Sequence, residues 1–441
     1  MAVFVLDRSG KPLMPCTEKR ARLLLERGRA RVHRLVPLVI RLVDRQVVDS
    51  HLQPVRLKLD PGSKATGLAV VRETERADAD TGEIHRTAAV LNLMELLHRG
   101  RQISEALTAR RNMRRRRRGN LRYRAPRFLN RRNQGKGWLA PSLQHRIDTT
   151  LAWVTRLQRW VPVTAISSEL VRFDMQALYD PELSGVAYQQ GTLAGYELRE
   201  YLLEKWGWKC AYCDATGIPL QVEHIHPKAR GGTNRVSNLT LACRPCNHEK
   251  GALPVEIFMK DKARLERIQA QSKRPLKDAA AVNSTRWALV QALNMTGLPV
   301  KTASGWRTKY NRVRLELPKT HALDAVCVGA VDIVTHWNKP TLTIKCTGRG
   351  SYQRTRLDKY GFPRGYLMRT KCVKGFVTGD LVRAEVPKGK KAGSYLGRVA
   401  IRATGSFNIQ TGTEVVQGIS HKHCRQVQRA DGYGYFIQQQ S

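Results

Sequence analysis

Four cysteines in the second half of the chain have the residue type and spacing of a metal site. They form two CxxC pairs, Cys210 with Cys213 and Cys243 with Cys246, separated by 29 intervening residues. Two such pairs supply four thiolates, which is the closed tetrahedral set of a structural Zn²⁺ and leaves no open position for a substrate. The spacing therefore predicts a Cys₄ zinc site that stabilises a small fold.

Residues capable of acid–base and metal chemistry lie between and directly after these pairs. The segment reads Val-Glu223-His224-Ile-His226-Pro227, then Gly231-Gly232, Asn238-Leu, and Asn247 next to the last cysteine. A neutral imidazole can take a proton from water, and carboxylate and amide oxygens bind hard divalent cations. A zinc ribbon without catalytic activity would also explain the four cysteines. A catalytic interpretation therefore depends on the polar residues that lie between and directly after them.

The complete pattern, C-x2-C, acid-His-x-x-Pro, Gly-Gly, Asn-Leu and C-x2-C-Asn, resembles the zinc-stapled HNH (ββα-metal) nucleases. The resemblance implies that His224 is the general base beside a water aimed at a phosphodiester. It also implies that Glu223 and Asn247 hold one Mg²⁺. Asn238 would then orient His224 or its strand.

A second set of polar residues is dispersed along the chain. Asp60 ends an alternating run, Glu169 ends an apolar run, and His321 precedes Asp324 by three positions, which places the pair on one face of a helix. Each signal alone is weak, because a strand-end Asp is usually a turn residue. Together, three carboxylates on two strands and a helix suit a two-metal phosphodiesterase, which holds two Mg²⁺ about 4 Å apart.

The elements that must position these residues follow from hydrophobic periodicity. The patterns predict strands over 55–60, 67–72, 86–93 and 161–170, and helices over 145–160, 279–296 and 319–336. From Lys339 onward the chain has 19 Lys or Arg against 5 Asp or Glu, with short apolar runs between glycines. This composition predicts a small basic β domain, and a barrel is one architecture it could adopt.

An acid-free basic segment separates the first two carboxylates. Residues 106–147 include 14 Lys or Arg and no Asp or Glu. A helix from Ser104 would carry the five arginines 114–118 around its whole axis, leaving little surface to bury. A solvated tract is one interpretation; a nucleic-acid-clasping helix and loop is the other, favoured by interleaved aromatic residues. The candidate contacts are Arg110, Arg111, Arg114, Arg115, Arg116, Arg117, Arg118, Arg122, Arg124, Arg127, Arg131 and Arg132.

Length and composition limit the class of protein. At 441 residues the chain has room for about three domains, and 41% hydrophobic residues favour folded domains over a disordered basic tail. Lys and Arg number 77 against 36 Asp and Glu, so the formal charge of +41 predicts a polyanionic partner. An odd count of nine cysteines and the lack of an apolar run of about 18 residues predict a cytoplasmic protein with no membrane partner.

The order of these features resembles one family. LDPGSKATG at Asp60, SSEL at Glu169 and THALDA at residues 320–325 resemble the three split segments of RuvC nucleases, which have the RNase H-like fold. The Arg-rich segment lies between the first two segments, the HNH segment lies between the last two, and the string PLMP at residues 12–15 precedes them. This interleaving closely resembles the IscB family, transposon-associated RNA-guided nucleases related to type II CRISPR effectors.

The resemblance implies an α/β and α+β multidomain fold. By match, Asp60, Glu169 and Asp324 become the ligands of two Mg²⁺, and His321 becomes the proton acceptor. The implied regions are a PLMP module (1–52), RuvC segment I (53–98), an Arg-rich bridge helix and loop (99–135), RuvC segment II (136–190), an HNH domain with linkers (191–262), RuvC segment III (263–338) and a basic β-rich domain (339–441).

The resemblance also implies a function. A structured guide RNA, the family's omega RNA, would form a 1:1 complex with a monomeric protein and pair with one strand of double-stranded DNA in a prokaryotic cell. HNH would cut the paired strand, RuvC the displaced strand, and the basic β domain would read a short flanking motif. Two alternatives remain open: a protein-guided HNH endonuclease of the restriction or homing type, and a non-catalytic transposon regulator that binds RNA or DNA.

Overall fold

The computed structural model describes residues 1–77, 83–119, 138–170, 199, 202–203, 205–272, 277–348, 355–360, 362–366, 370–412 and 414–439. The chain divides into two compact units. One consists of residues 1–170 with 287–441, and the other of residues 171–286. None of the helices in the described ranges is both long and apolar enough to cross a membrane.

The strands, in chain order, are β1 Val3–Leu6, β2 Pro12–Cys16, β3 Ala30–Arg34, β4 Val39–Leu42, β5 Val55–Pro61, β6 Ala65–Ala77, β7 Ile84–Leu97, β8 Val163–Glu169, β9 Leu220–His224, β10 Leu239–Cys243, β11 Val300–Ala303, β12 Ile333–Thr335, β13 Thr341–Cys346, β14 Thr355–Leu357, β15 Pro363–Tyr366, β16 Cys372–Val373, β17 Phe376–Val377, β18 Leu381–Val386, β19 Gly393–Ala400, β20 Ser406–Gln410, β21 Val415–Ser420, β22 Cys424–Gln428 and β23 Tyr433–Gln438. The α-helices are α1 Glu18–Glu26, α2 Gly100–Gly119, α3 Pro141–Trp160, α4 Arg244–Lys250, α5 Val255–Phe258, α6 Lys262–Ser272, α7 Lys277–Asn294, α8 Gly305–Arg314 and α9 His321–Val326.

An eight-stranded sheet forms the centre of the first unit. Seven strands follow the order β11-β8-β5-β6-β7-β13-β23, and β12 pairs with β7. β5, β6 and β7 form an antiparallel meander, whereas β8 runs parallel to β5 and β11 runs parallel to β8. β6 and β7 are longer than the runs 67–72 and 86–93 predicted from sequence. The added residues 73–77 of β6 are mostly polar and exposed, so they give no apolar signal, whereas β7 also continues through the buried Met94 and Leu96 beyond the predicted end.

One side of this sheet is covered by α3. Its apolar residues Trp153, Leu157 and Trp160 recur at helical spacing and share a core cluster with Leu57 and Ile166 of the sheet. Complete burial of each such side chain contributes about 1.5–3 kcal/mol. This packing fixes β5 and β8, the two strands that end in the predicted carboxylates.

The other side of the sheet is approached by α9 at Gly67 of β6. A Cβ atom at this position would lie only 1.8 Å from the carbonyl oxygen of His321, a distance that two such atoms cannot adopt. The absence of a side chain therefore allows α9 to lie directly on the sheet, where Ala322, Leu323 and Val326 are fully buried. Gly67 thus sets the distance between the helix that carries Asp324 and the strands.

The helix predicted over 319–336 covers only the six residues of α9. Two side chains take the carbonyl groups that would have continued it: Lys58 Nζ donates to Val328 at 3.0 Å, and Asn311 Nδ2 donates to Gly329 at 2.8 Å. Gly329 also has a left-handed φ of 87°. The prediction is wrong beyond α9 because tertiary hydrogen bonds end the helix while the sequence remains apolar.

The amino-terminal module is a four-stranded sheet in the order β2-β1-β4-β3 with α1. The PLMP string lies in β2. Thr17 is the N-cap of α1, and its side chain accepts from the amide of Arg20. The amino-terminal residues therefore form a mixed α/β module, and β3 is a strand that its exposed, basic sequence did not predict.

The carboxy-terminal region divides between two sheets. β18 to β22 form a separate five-stranded sheet in the order β21-β20-β19-β18-β22, so the described strands form an open sheet and the barrel prediction is wrong. β13 and β23, however, pair with each other, and β13 pairs with β7 of the large sheet. The predicted boundary at residue 339 is therefore displaced, because β-pairing across the chain recruits these two strands to the central sheet.

The second unit contains the cysteine-rich segment. β9 and β10 form an antiparallel pair followed by α4, which contacts both strands. Ile268 of α6 is fully buried in the same core cluster as Leu241 and Val255. The predicted end of this domain at residue 262 is therefore too early, because α6 supplies part of its core.

Candidate functional site

Three carboxylates converge at one edge of the central sheet. Leu59 of β5 is paired in parallel register with Ser168 of β8, so the next residues, Asp60 and Glu169, end neighbouring strands at the same edge. Asp324 reaches this edge from α9, which packs on β5 and β6. The structure therefore brings together the residues predicted from three distant segments.

Polar side chains hold the carboxylates in place. His321 Nδ1 lies 2.8 Å from Asp60 Oδ2 and donates to it. Arg312 Nε lies 2.7 Å from Asp324 Oδ1 as an ion pair, although its N–H is not aligned for a hydrogen bond. Thr308 of α8 makes a side-chain hydrogen bond with Glu169.

Burial and mutual repulsion dominate the electrostatics of this cluster. Burial, and then the negative charge of Asp60, raise the pKa of Glu169 well above its usual range and that of Asp324 to about 6. Burial alone would lower the pKa of His321, but the hydrogen bond and charge of Asp60 raise it to about 9. The three carboxylates thus repel one another, and a bound cation would offset this repulsion.

The arrangement fits divalent metal ions of the Mg²⁺ class. All three carboxylates supply hard oxygen donors, and each already lies against a cationic or hydroxyl group. Asp60, Glu169 and Asp324 are the residues that could hold such ions, and a two-metal site of this kind supports phosphodiester hydrolysis. The donor set therefore matches the chemistry predicted from the sequence.

Lys58, which sequence analysis did not select, fixes the helix that carries Asp324. Its side chain is almost completely buried, donates to the carbonyl of Val326 at 3.2 Å, and lies 3.4 Å from Glu73. Burial lowers the pKa of Lys58 to about 8 even though Glu73 raises it. The sequence indicates this attachment of α9 only by placing a lysine within the apolar pattern of β5.

The four cysteines of the second unit form a cluster that fits zinc. The sulfur atoms of Cys210, Cys213, Cys243 and Cys246 all lie within 4.8 Å of one another, and Cys213 and Cys243 are 3.7 Å apart. Zn–S bonds of about 2.3 Å in a tetrahedron place sulfur atoms about 3.8 Å apart. The predicted Cys₄ site is therefore preformed.

Glu223 is buried in a hydrogen-bond network beside this cluster. Its two carboxylate oxygens accept from Tyr212 Oη at 2.6 Å and from Lys250 Nζ at 2.8 Å. Lys250 has no exposed surface and also donates to the carbonyl of His224 at 2.8 Å. Lys250 therefore joins α4 to β9 through a buried ion pair.

His224 and Asn238, both predicted site residues, are each positioned by side-chain hydrogen bonds. His224 Nε2 lies 2.8 Å from Asn234 Oδ1, a partner that the sequence did not indicate. Asn238 accepts from the amide of His226 and donates to the carbonyls of His226 and Thr233. Asn238 therefore fixes the loop after β9, and none of these hydrogen bonds reaches the imidazole of His224.

Asn247 lies at the exposed side of α4. Its amide nitrogen donates to Gln221 Oε1 at 2.7 Å, which joins α4 to β9. Glu223 is on the same strand, two residues farther along. The predicted HNH residues thus lie on β9, α4 and the loop between β9 and β10, within one compact unit.

The Arg-rich helix forms as α2, four residues earlier than predicted. Arg110, Arg111, Arg114, Arg115 and Arg116 are all exposed. The guanidinium of Arg116 lies 5.9 Å from the ring of Tyr360. The helix also includes residues 117 and 118, whereas Arg122, Arg124, Arg127, Arg131 and Arg132 lie outside the described residues.

A third cluster of possible metal ligands lies inside the first unit. Ligand atoms of His98, His145 and Cys346 are within 4.8 Å of one another. Burial and the positive charge of Arg146 lower the pKa of His98 to about 3. The same positive charge opposes a bound cation, and Thr66 already lies 2.8 Å from His98 Nε2. This cluster is therefore explained as a buried polar network.

Two family models match the chain. Residues 3–191 match the model described as RRXRR protein, and residues 210–253 match the model described as HNH endonuclease. The first match covers the segments that contain Asp60, the Arg-rich helix and Glu169. The second covers all four cysteines and His224. A comparison with curated proteins gives no match.

Solved structures with similarity to the chain include two Cas9 enzymes. The Type II-C Cas9 of Actinomyces naeslundii has 19% identity and a TM-score of 0.16, over 44% of this chain and 32% of its own. Streptococcus thermophilus Cas9 in complex with the GGAA PAM has 11% identity and a TM-score of 0.22, over 59% of this chain and 31% of its own. The chain thus matches about a third of the length of these enzymes.

The motifs and the family matches agree with each other along the chain. The RRXRR region and the HNH domain occur in the order that the resemblance predicted, with the split carboxylate motifs around them. The resemblance to the IscB family is therefore confirmed, and the chain contains an HNH endonuclease domain.

Proposed function

We propose that this protein is an RNA-guided DNA endonuclease with two nuclease sites, one in each unit. The observation that carries the proposal is the meeting of Asp60, Glu169 and Asp324 at one sheet edge, in a chain that also contains an HNH domain. The antiparallel meander β5–β7 followed by parallel β8 and β11 supports the RNase H-like interpretation of the first site. A single-site HNH enzyme has no need of this second cluster.

At the HNH site, His224 is the proposed general base. Because an amide oxygen only accepts hydrogen bonds, Asn234 Oδ1 selects the tautomer with a proton on Nε2 and leaves Nδ1 to take a proton from water. Asn247 and Glu223 are the proposed Mg²⁺ ligands. Coordination by Glu223 requires it to exchange the bond from Tyr212 or Lys250.

At the second site, Asp60, Glu169 and Asp324 are the proposed ligands of two Mg²⁺. When bound, Mg²⁺ activates the attacking water and stabilises the departing oxygen of the phosphodiester. His321 is the proposed proton acceptor, and its bond to Asp60 holds the imidazole at the carboxylates. The hydrogen bond and charge of Asp60 raise the pKa of His321 to about 9, and bound cations would offset that charge and favour the neutral imidazole that a proton acceptor requires. Arg312 and Thr308 keep Asp324 and Glu169 in place when the metal ions are absent.

The basic surface of α2 is the proposed contact with a structured guide RNA. The sequence of α2 contains one acidic residue, Glu105, which pairs with Arg101 at 2.8 Å. Such a helix binds phosphate oxygens without reading sequence, so the target would be chosen by pairing of the guide with one DNA strand.

The five-stranded carboxy-terminal sheet is the proposed reader of a flanking motif. Exchanging this sheet for that of a relative should change the motif preference, and an unchanged preference would contradict the proposal.

The first test identifies the RNA. The protein, expressed from its native locus and purified through high salt, should retain one dominant structured RNA with a variable segment that defines a DNA target. A mixture of cellular RNA, or none, would instead favour a protein-guided HNH endonuclease.

The second test uses a duplex with each strand labelled separately. His224→Ala should abolish cutting of the guide-paired strand alone, and Asp60→Ala cutting of the displaced strand alone. The double variant should bind without cutting. Cutting of both strands by either single variant would contradict the assignment of the two sites.

A further inference from the structure

Two aromatic rings on α8 stack on each other at the surface. Trp306 and Tyr310 have ring centroids 5.6 Å apart and an interplanar angle of 15°. Their exposed fractions are 56% and 53%, and Val313, which continues the same helical stripe, is 60% exposed. An apolar stripe on the outer side of a helix contributes nothing to the core, so it indicates an interaction surface.

The opposite side of α8 is attached to the carboxylate cluster. Thr308 and Asn311 are buried there, Thr308 is hydrogen-bonded to Glu169, and Arg312 pairs with Asp324. An α-helix with its side chains is about 10–12 Å wide, so roughly the width of one helix separates the aromatic pair from the carboxylates. The same rigid element therefore holds both the reactive edge and the exposed rings.

The charge of α8 identifies the chemistry of the partner. The helix contains Arg307, Lys309, Arg312 and Arg314 and no acidic residue. Arg312 pairs with Asp324 and Arg314 with Asp332, so Arg307 and Lys309 are the cations that flank the aromatic stripe. A basic surface with stacked aromatic rings is the pattern that binds single-stranded nucleic acid, because phosphates contact the cations and unpaired bases stack on the rings. A duplex keeps its bases stacked internally and cannot use such a platform.

We propose that Trp306 and Tyr310 form a stacking platform for bases of the single DNA strand that enters the Asp60–Glu169–Asp324 site. The inference rests on the proposed function, since it names the substrate of the second nuclease site. Stacking of unpaired bases on these rings directs the strand over α8, so that a phosphodiester a few nucleotides along the strand reaches the carboxylates. The platform is independent of base identity, because every base has a π-face.

The activity test compares both strands in one reaction. Trp306→Ala with Tyr310→Ala should lower the single-turnover rate of displaced-strand cutting by about tenfold or more, and leave guide-paired-strand cutting unchanged. Trp306→Phe with Tyr310→Phe should recover most of the rate, whereas Trp306→Leu with Tyr310→Leu should not, because leucine retains apolar surface but no π-face. Trp287→Ala, which removes a 55% exposed tryptophan from α7, is the matched control.

A second readout does not depend on cutting. With 5-iododeoxyuridine in the displaced strand and the Asp60→Ala protein, photo-crosslinks should map to Trp306 or Tyr310, and the double alanine variant should lose them. Crosslinks confined to other residues, or equal slowing of both strands, would overturn the platform. If the wild-type protein does not cut the displaced strand, the proposed function itself fails; if it does and the double variant cuts equally fast, only the platform fails.

Discussion

The two candidate nuclease sites differ in how the chain builds them. The HNH site lies between Cys210 and Lys250, on one strand pair and one short helix joined by four cysteines and a buried ion pair. The carboxylate site joins residues from Asp60 to Asp324 and depends on the register of the central sheet and on α9. A local site can be stabilised by one metal ion, whereas a dispersed site depends on a large core.

This difference predicts which changes each site withstands. Loss of the zinc cluster should affect the second unit alone, while changes in sheet-to-helix packing should affect only the carboxylate site. Changes that disturb both equally would mean that the two units are not independent folds. The following variants test the contrast, from the largest expected effect to the smallest.

Removal of zinc should have the largest effect. Structural Zn²⁺ in small domains contributes about 10–16 kcal/mol of apparent folding free energy, so Cys243→Ser should unfold the second unit. We expect the protein to lose one bound Zn²⁺ by elemental analysis and residues 205–272 to become sensitive to limited proteolysis. Cys372→Ser, at an exposed cysteine outside the cluster, should change neither measurement. Equal proteolysis of the central sheet would contradict the independence of the units.

Breaking the buried ion pair should cause the next largest loss of stability. Lys250→Met leaves the buried carboxylate of Glu223 without its cation, which typically costs about 3–5 kcal/mol. Chemical denaturation of the full chain should resolve this loss in the second unit, and Lys228→Met, at an exposed lysine, should have no effect. Replacing both partners, with Glu223→Leu and Lys250→Met, should recover much of the stability. If the single and double variants are equally unstable, the pair is not the cause.

Gly67→Ala tests the packing of the dispersed site. The added Cβ would meet the carbonyl of His321 at 1.8 Å, so α9 must move, at a cost of about 3 kcal/mol. We expect slower cutting of the displaced strand and unchanged cutting of the guide-paired strand. Gly365→Ala is the control, because nothing lies within 4 Å of a Cβ there. A Gly67→Ala protein with full displaced-strand activity would show that the position of α9 does not matter for this site.

Asn234→Ala should have the smallest effect. It removes the hydrogen-bond acceptor of His224 Nε2 while leaving the zinc cluster and the ion pair in place. Loss of such an orienting partner typically lowers activity about 10–100-fold. We expect this decrease in cutting of the guide-paired strand and no change in cutting of the displaced strand. Combining Asn234→Ala with His224→Ala should add nothing to the single His224→Ala loss. A further loss in the double variant would mean that Asn234 acts through another residue.

The local site could be predicted from the sequence almost completely. The two CxxC pairs, His224 and Asn247 lie close together in the chain, and short loops leave few ways to arrange them. What the sequence missed was the partner of each group. Asn234 and Lys250 have no distinguishing pattern, since an asparagine in a loop and a lysine at a helix end are ordinary surface residues.

The sequence indicated the individual residues of the dispersed site but not the helix length and strand pairing that surround them. The strand ends at Asp60 and Glu169 were readable from alternation and apolar runs. The length of α9 was not, because Lys58 and Asn311 end it from distant parts of the chain. The positions of β13 and β23 were also unpredictable, because strand pairing is a non-local choice.

The sequence by itself therefore determined the donor sets: four thiolates, three carboxylates, two histidines and a run of arginines, each fixed by residue type and spacing. The tertiary structure decided how these groups are held. Sheet register placed Asp60 beside Glu169, Gly67 admitted α9, and α8 joined the carboxylates to an exposed aromatic pair. Residue types specify what chemistry is available, whereas contacts between distant segments determine where that chemistry takes place.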